Sequence, residues 1–486
     1  MEVLYRCLGW MQKVSECFLI CNVLLSFHLI FINKKEVKSI WGWLLFLGFL
    51  PIPGFFLYLM TGVPLYGKKF RRMREVNDAI PRVLAAGGGA SDSLKRETTE
   101  RIPEACEELI RYNLKAAGSI LTANNEIVLF TEGGRKFAEL MEDIRQARQS
   151  IHLEYYIIRN DILFGQLKEQ LCEKVKEGVA VRLLYDSMGC HRVKKSVWKE
   201  LQRQGVQVGE FFPPAAKILH WRLNYRNHRK LVIIDNCIGY LGGFNIGREY
   251  VGLDSSFGSW RDTHLRLRGD AVIALQLRFL LDWNYATGDR LRMEAFPEAK
   301  VSRGRAMVQV VAGGPDFSYP HIRNNYLHLI HKAKEMISIQ TPYFIPDEAV
   351  MAALKMALLS GVRVRLMIPC KPDHPFVYRA TMSYAGELLE DGAECYIFRQ
   401  GFLHAKGLIM DRLAYCYGTA NADIRSFSLN FEVNAVVYGE RETEKMLAAF
   451  ERDVENCTRL TPEEYSGRSL SDRLKERGSR LLSPLL

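Results

Sequence analysis

The chain has 486 residues, 48% hydrophobic and 25% charged, which excludes a disordered or fibrous protein. At roughly 100–200 residues per domain it holds about two to four domains. Sixty-six Lys and Arg against 55 Asp and Glu give a formal charge of +11. That excess favours an anionic partner without separating nucleic acid from an anionic membrane. The eleven cysteines are scattered and form no Cys-x-x-Cys pair. They argue against a disulfide framework or a zinc module and for a reducing compartment.

The first elements are apolar. Residues Cys17 to Asn33 and Ser39 to Gly67 carry no Asp, Glu, Lys or Arg. A bilayer span takes about 17–25 apolar residues as a helix. The first run is short and holds Asn22, Ser26 and His28, whereas the second places Trp41, Trp43, Tyr58 and Tyr66 near its ends, as interfacial belts do. Spans are expected over about 15–33 and 40–61. Lys34-Lys35 directly follows the first run without a small-residue cleavage site, which speaks against a signal peptide. The five-residue connection Lys34–Lys38 makes the pair a tight hairpin with both ends on one side. Lys68, Lys69, Arg71, Arg72 and Arg74 after it outweigh Lys34, Lys35 and Lys38 in the turn, which places the rest of the chain in the cytoplasm.

A flexible stretch, AAGGGASDS, lies between Arg82 and Thr99. Beyond it, segments recur in pairs. Ser150–Ile157 is answered by Met336–Ile345, Gly178–Asp186 by Gly361–Pro369, Glu200–Val208 by Glu387–Phe398, and His228–Asp235 by His404–Asp411. Helix and β-rich runs alternate in the same order in both copies, the pattern of α/β units with largely buried strands. The expected organisation is a hairpin over 1–75, a linker over 76–105, one α/β domain over 106–295 and its duplicate over 296–486, with a boundary near Ala295–Arg305.

The last pair carries the chemistry. His228-Arg-Lys230 is followed by four residues and Asp235, and His404-Ala-Lys406 by four residues and Asp411. Gly242 and Gly418 both follow their His by fourteen positions, and Asn245 and Asn421 by seventeen. One H-x-K-x4-D is a weak signal, whereas two in matched positions of a duplicated unit are a strong one. In H-x-K both side chains share a strand face, so an imidazole and an ammonium lie side by side. Imidazole serves as nucleophile or as general acid and base near neutral pH. Lys230, Lys406 and the amides of Asn245 and Asn421 suit the oxygens of a phosphate. Two such strands facing one another make one shared site for in-line transfer at a phosphodiester, with no metal or other cofactor required. Asp235 and Asp411 have odd parity to their His and read as supports of the geometry.

These motifs are those of the phospholipase D superfamily, and the chain resembles its bacterial cardiolipin synthases. The resemblance runs through SIWGWLLFLGFLPIPGFFLYLMTG, IHLEYYI, HRKLVIID, GGFNIG, WRDTH, PYFIPD, KPDHPFVY, GFLHAKGLIMD, NFEVN and the closing RLLSPLL. It implies two duplicated phospholipase D-type domains, each a mixed sheet flanked by helices, behind a transmembrane hairpin. It implies His228 as the nucleophile that forms a phosphohistidine and His404 as acid, then base, with the two roles interchangeable by near-symmetry. It also implies an acid after each motif that holds a His in its tautomer: Asp262 for the first copy and Glu432 for the second. The implied reaction joins two phosphatidylglycerol molecules into cardiolipin and glycerol at an anionic cell membrane, with no nucleic acid partner. A hydrolase or another phosphatidyltransferase such as a phosphatidylserine synthase uses the same motifs, as does a nuclease, and an idle lipid-binding scaffold is the alternative from another class.

Other residues are ambiguous from sequence. Glu154 either faces substrate or is satisfied locally. Tyr155, Tyr156, Tyr343 and Phe344 either wall the pocket or pack beneath it. His152, His264, His321, His328 and His331 lack the Lys and Asp offsets and read as structural, and His374 is a headgroup contact by resemblance alone. The basic, amphipathic tail Ser469–Leu486 either lies on a membrane or packs its leucines on the domain.

Overall fold

The computed structural model describes residues 2–31, 37–62, 68–86, 102–213, 225–293 without 255 and 257, 304–371 and 373–483. The chain divides into two compact units, 1–67 with 213–225 and 68–212 with 226–486. The expected domain boundary and the glycine-rich stretch fall outside the described residues.

The first unit contains α1 (Glu2–Phe31), α2 (Val37–Phe49), α3 (Pro51–Leu57) and a closing π turn (Tyr58–Gly62). Within α1, Lys13–Phe31 is long and apolar enough to cross a membrane. The second apolar run differs from the single span expected: it breaks at Leu50, which has φ −126° and ψ 70°. Pro51 is the cause. Helix continuation would need an N–H at position 51 to meet the Leu47 carbonyl, and proline has none. Asn22 supplies the missing donor, its Nδ2 reaching Leu47 O at 3.0 Å and Pro51 O at 2.8 Å. A polar residue that weakens the first run in hydropathy thus satisfies the backbone of the second, as an apolar surrounding demands.

The second unit opens with α4 (Lys68–Ala86), so the expected linker begins as helix, and α5 (Glu107–Ala117) follows. The first copy contains β1 (Thr122–Glu132), α6 (Gly133–Gln146), β2 (Ser150–Tyr155), α7 (Ile162–Lys176), β3 (Ala180–Asp186), α8 (Lys195–Arg203) and β4 (Gln207–Phe211). It closes with β5 (Leu231–Ile234), β6 (Ile238–Gly242), β7 (Trp260–Gly269) and α9 (Ala271–Thr287). The second copy repeats this as β8 (Ala306–Gly313), α10 (His321–Lys332), β9 (Met336–Gln340), α11 (Glu348–Leu359), β10 (Arg363–Pro369), α12 (Pro375–Glu390) and β11 (Glu394–Phe398). It continues with β12 (Gly407–Met410), β13 (Ala414–Gly418), α13 (Ile424–Ser428), β14 (Asn430–Tyr438) and α14 (Glu440–Val454). Finally come β15 (Cys457–Leu460), α15 (Pro462–Ser466) and α16 (Leu470–Leu481). Even the caps repeat: Asp161 accepts from Leu163 N and Phe164 N at the start of α7, and Asp347 from Val350 N at the start of α11.

Strand pairing shows the duplication directly. The first copy runs β4-β3-β2-β5-β6-β7-β1 across the sheet. The second runs β11-β10-β9-β12-β13-β14-β8, the same order met from the other side. β1 and β8 pair antiparallel at the join, Thr122 opposite Val308, and β15 is added beyond β11. The result is the mixed sheet expected, with β2, β3 and β4 mutually parallel and β5 antiparallel to β2. β2, β5, β9 and β12 are buried at nearly every position. β5 (LVII) and β12 (GLIM) are accordingly apolar throughout, whereas β2 and β9 also bury polar side chains, among them His152, Glu154 and Gln340. Two apolar cores, one per copy, pack the helices on the sheet.

Candidate active site

Each H-x-K segment lies just before a buried strand, His228 before β5 and His404 before β12. Each is stitched to the other copy. His228 N donates to Phe431 O at 2.9 Å, and His404 N donates to Arg261 O at 2.7 Å. Short pairings, Arg226–Asn227 with Asn430–Phe431 and Phe402–Leu403 with Trp260–Arg261, complete the exchange. One site is therefore built from both halves.

The acids are exchanged as well. His228 Nδ1 lies 2.9 and 3.0 Å from the two oxygens of Glu432, and His404 Nδ1 lies 2.5 Å from Asp262 Oδ2. The sequence named the two acids without saying which His each would hold; the acid of each copy holds the His of the other. A carboxylate on Nδ1 keeps the proton there and leaves Nε2 with its lone pair.

Both lysines are buried. Lys230 Nζ donates to His228 O at 2.6 Å, and Lys406 Nζ sits 2.7 Å from His404 Nδ1 and 3.6 Å from Asp262. Burial pushes Lys230 well below its ordinary pKa and Lys406 down to about 8. Burial, then the charges of Lys230 and Lys406, holds His228 well below its ordinary value, so it is neutral. His404 is pushed down to about 4 by burial and by Lys406, against the pull of Asp262.

The two acids differ. Burial raises Glu432 to about 7 despite Lys230 and donors from Thr419 and Asn430. Burial would raise Asp262 too, but Lys406 and His404 outweigh it and hold Asp262 below its ordinary value. Position 243 makes room for the shorter acid: a Cβ on Gly243 would sit 1.9 Å from Asp262 Oδ1. The matching position in the second copy is Thr419, whose hydroxyl bonds Glu432 Oε2 at 2.6 Å.

Asp235 and Asp411 serve the backbone and not the imidazoles. The H-x-K segments lie outside the strands, so the turn that follows each strand, and not strand parity, sets their direction. Each takes positive φ, 51° and 49°, at the turn after its strand. Asp235 accepts from the backbone N–H groups of Arg148, Gln149 and Ser150 at 2.7–2.9 Å. Asp411 does the same for Lys334, Glu335 and Met336 at 2.7–3.0 Å. Each therefore clamps the start of the neighbouring strand to the end of its own. Asn245 is engaged with Ile157 N and the Tyr250 hydroxyl, while Asn421 donates to Asp423 and leaves its Oδ1 buried without a bond.

The remaining ambiguous residues resolve. Glu154 is buried and bonded to Asn227 Nδ2 at 2.6 Å, a local role. Tyr156 meets His228 edge-on at 4.8 Å and lies under Lys230 Nζ at 5.2 Å, while Tyr155 and Phe344 are core. Tyr343 hydrogen-bonds Asp373. His374 is exposed at the start of α12. Sequence reasoning missed Trp260, edge-on to His404 at 5.1 Å, whose only signal was its place in WRDTH. It also missed Arg229. Fully buried, it pairs with Asp282 at 2.7 Å and donates to Glu432 O and Gly313 O. Asp282 also holds Arg278, which reaches Asn77 on α4, and Asn77 bonds Asp316 at 2.7 Å.

Comparison with known proteins gives the family. The family model described as cardiolipin synthase, PLD-like domain, matches residues 140–257 and 326–454, and a phospholipase D-nuclease N-terminal model matches 20–62. The chain belongs to the cardiolipin synthase family of phospholipase D-like proteins. It is 46% identical to a cardiolipin synthase of Oceanobacillus iheyensis over 96% of this chain and 98% of that one. It is 44% identical to the major cardiolipin synthase of Bacillus subtilis over 96% and 98%. A phosphatidylserine synthase structure from Haemophilus influenzae shares the fold, with a TM-score of 0.57 at 14% identity over 74% of this chain and 93% of that one. Members of the family are enzymes of phospholipid metabolism, and the N-terminal apolar helix fits membrane association.

Proposed function

We propose that the chain makes cardiolipin from two phosphatidylglycerol molecules through a phosphohistidine. The observation that carries the reading is the pair of imidazoles, each held on Nδ1 by the other copy's acid with a buried Lys beside it. His228 Nε2 attacks phosphorus of the first lipid and the bond to the glycerol headgroup oxygen breaks. His404 gives that oxygen its proton from Nε2. His404 by itself is largely deprotonated near neutral pH, but a bound diester anion adds the negative charge that raises it. Glycerol leaves. His404 then takes the proton from a headgroup hydroxyl of the second lipid, whose oxygen attacks phosphorus, breaks the P–N bond and frees neutral His228. Lys230 and Lys406 offset charge on the equatorial oxygens, and Asn245 and Asn421 are assigned to the rim of that phosphate site. His404 suits the proton carrier because ionised Asp262 supports its charged form.

The second apolar run, with its kink satisfied by Asn22, is read as a second membrane pass, and the excess of Lys and Arg over 68–74 relative to the turn supports reading the catalytic unit as cytoplasmic. The test is purified protein in phosphatidylglycerol vesicles with lipid products followed by mass spectrometry. Cardiolipin and glycerol, both lost in His228→Ala and in His404→Ala, are the expected result. Phosphatidic acid as sole product would replace the synthase with a hydrolase. His404→Asn removes the acid of the first step and the base of the second. With a nitrophenyl phosphatidyl ester, whose leaving group needs no proton, it should accumulate acid-labile label on His228, and the absence of labelled enzyme with that donor would count against the covalent route.

A further inference from the structure

Helix α16 is built the wrong way round for a helix that only packs on the protein. Its inward side is polar. Glu476 and Ser479 are buried, Arg480 pairs with Glu387 and lies 4.1 Å over the Tyr384 ring, and Arg468 pairs with Glu476. Its leucines point outward: Leu470 is 73% exposed, Leu474 61% and Leu481 83%. Spacings of four and seven residues put these three on one narrow stripe along a helix. Arg473, Lys475 and Arg477 are exposed on the same helix. On the 3.6-residue period the two arginines border the stripe and Lys475 lies further round.

The neighbouring surface continues this pattern. Lys355 on α11 shares the Glu387 carboxylate with Arg480. Within one turn of Lys355, Met356 and Leu359 are also exposed. Large apolar side chains turned to solvent and edged by cations are the arrangement of a helix lying in a bilayer interface, leucines in the acyl boundary and guanidinium groups among anionic headgroups.

We propose that α16 is an interfacial helix, laying Leu470, Leu474 and Leu481 on an anionic bilayer and so giving the catalytic unit a membrane contact of its own, separate from the N-terminal apolar helix. The occupant is a lipid surface, not a second protein, because the stripe is bordered by Arg473 and Arg477. The proposal rests on exposure and charge and needs no turnover for its test.

The experiment uses full-length protein reconstituted in vesicles of mixed phosphatidylglycerol and phosphatidylcholine, with a photo-crosslinking residue at position 474 or 481. Position 444 on α14, also exposed, is the control. Lipid adducts at 474 and 481 should exceed those at 444 at least fivefold. They should fall at least threefold in pure phosphatidylcholine and in the Arg473→Gln/Arg477→Gln variant. Both side chains are exposed and the variant gives up only the Arg473 bond to Ser466 O, so it should keep the parent's unfolding temperature within about a degree. Adducts no more frequent than at 444 would overturn the proposal, as would adducts indifferent to lipid charge. Crosslinks mainly to a second copy of the chain would also overturn it and make the stripe a protein interface.

Discussion

Glu432→Gln isolates what the crossed acid does for His228. Gln has the same shape, so its carbonyl oxygen can keep the bonds from His228 and Asn430 that Oε1 now accepts. Its amide nitrogen would face Thr419 Oγ1, whose second lone pair can accept. What disappears is the charge. A hydrogen bond to a charged partner contributes about 1.5–3 kcal/mol and a neutral one about 0.5–1.5, so the loss is roughly 1–2 kcal/mol, or about 5- to 30-fold in rate. The pH profile makes the test sharper. Glu432 takes a proton near pH 7, so kcat/KM of the parent should fall as pH drops through 7. The variant resembles the protonated acid at every pH. It should show no acid limb there and should lie near the parent's acid plateau. Both should keep an alkaline limb near 8, where Lys406 loses its charge. The assay is glycerol release from phosphatidylglycerol in mixed micelles. A variant within twofold of the parent at pH 8, or one that keeps the limb near 7, would refute the role given to this carboxylate.

Stability follows the same group. Its folded pKa lies above the ordinary carboxylate value, so between about 4.5 and 7 the unfolded chain releases a proton that the folded chain keeps. The fold should lose stability as pH rises through that window, and Glu432→Gln should flatten that loss in thermal unfolding scans. Gly243→Ala drives a methyl into Asp262 and should cost about 1–3 kcal/mol with at least tenfold of activity, whereas Gly478→Ala, with open space around it, should cost neither. Asp235→Ala removes three backbone bonds at once and should lower stability by roughly 2–4 kcal/mol, read as a drop in unfolding temperature in detergent. Arg229→Met leaves Asp282 buried with Arg278 as its partner and should cost about 3–5 kcal/mol, far more than removal of an exposed cation such as Arg412.

The duplication, the strand positions and the matched His, Lys and Asp were legible in the sequence because they are local and periodic. The odd offset set Asp235 and Asp411 apart from the His and Lys in the sequence, but it is the positive-φ turn after each strand that directs them to the backbone, and the clamps they form explain why the motif ends where it does. The crossing of Asp262 and Glu432 was not legible. Spacing along the chain orders residues within a copy, and nothing in it says which copy's loop closes over which histidine. Arg229 was hidden for a similar reason: a charged residue inside H-x-K reads as solvated until the sheet that buries it and the helix that brings Asp282 are both in place. Pro51 announced a break, yet its remedy, Asn22, lies 29 residues away and only packing connects them.

By symmetry, two identical single-copy chains meeting in this way would give both histidines the same acid and the same residue at the position of Gly243 and Thr419. Fusion into one polypeptide lifts that restriction. Asp with Gly on one side, Glu with Thr on the other, and Arg229 against Ala405 are differences that two identical chains could not carry. A site that must treat a leaving alcohol and an arriving one differently has a use for such inequality.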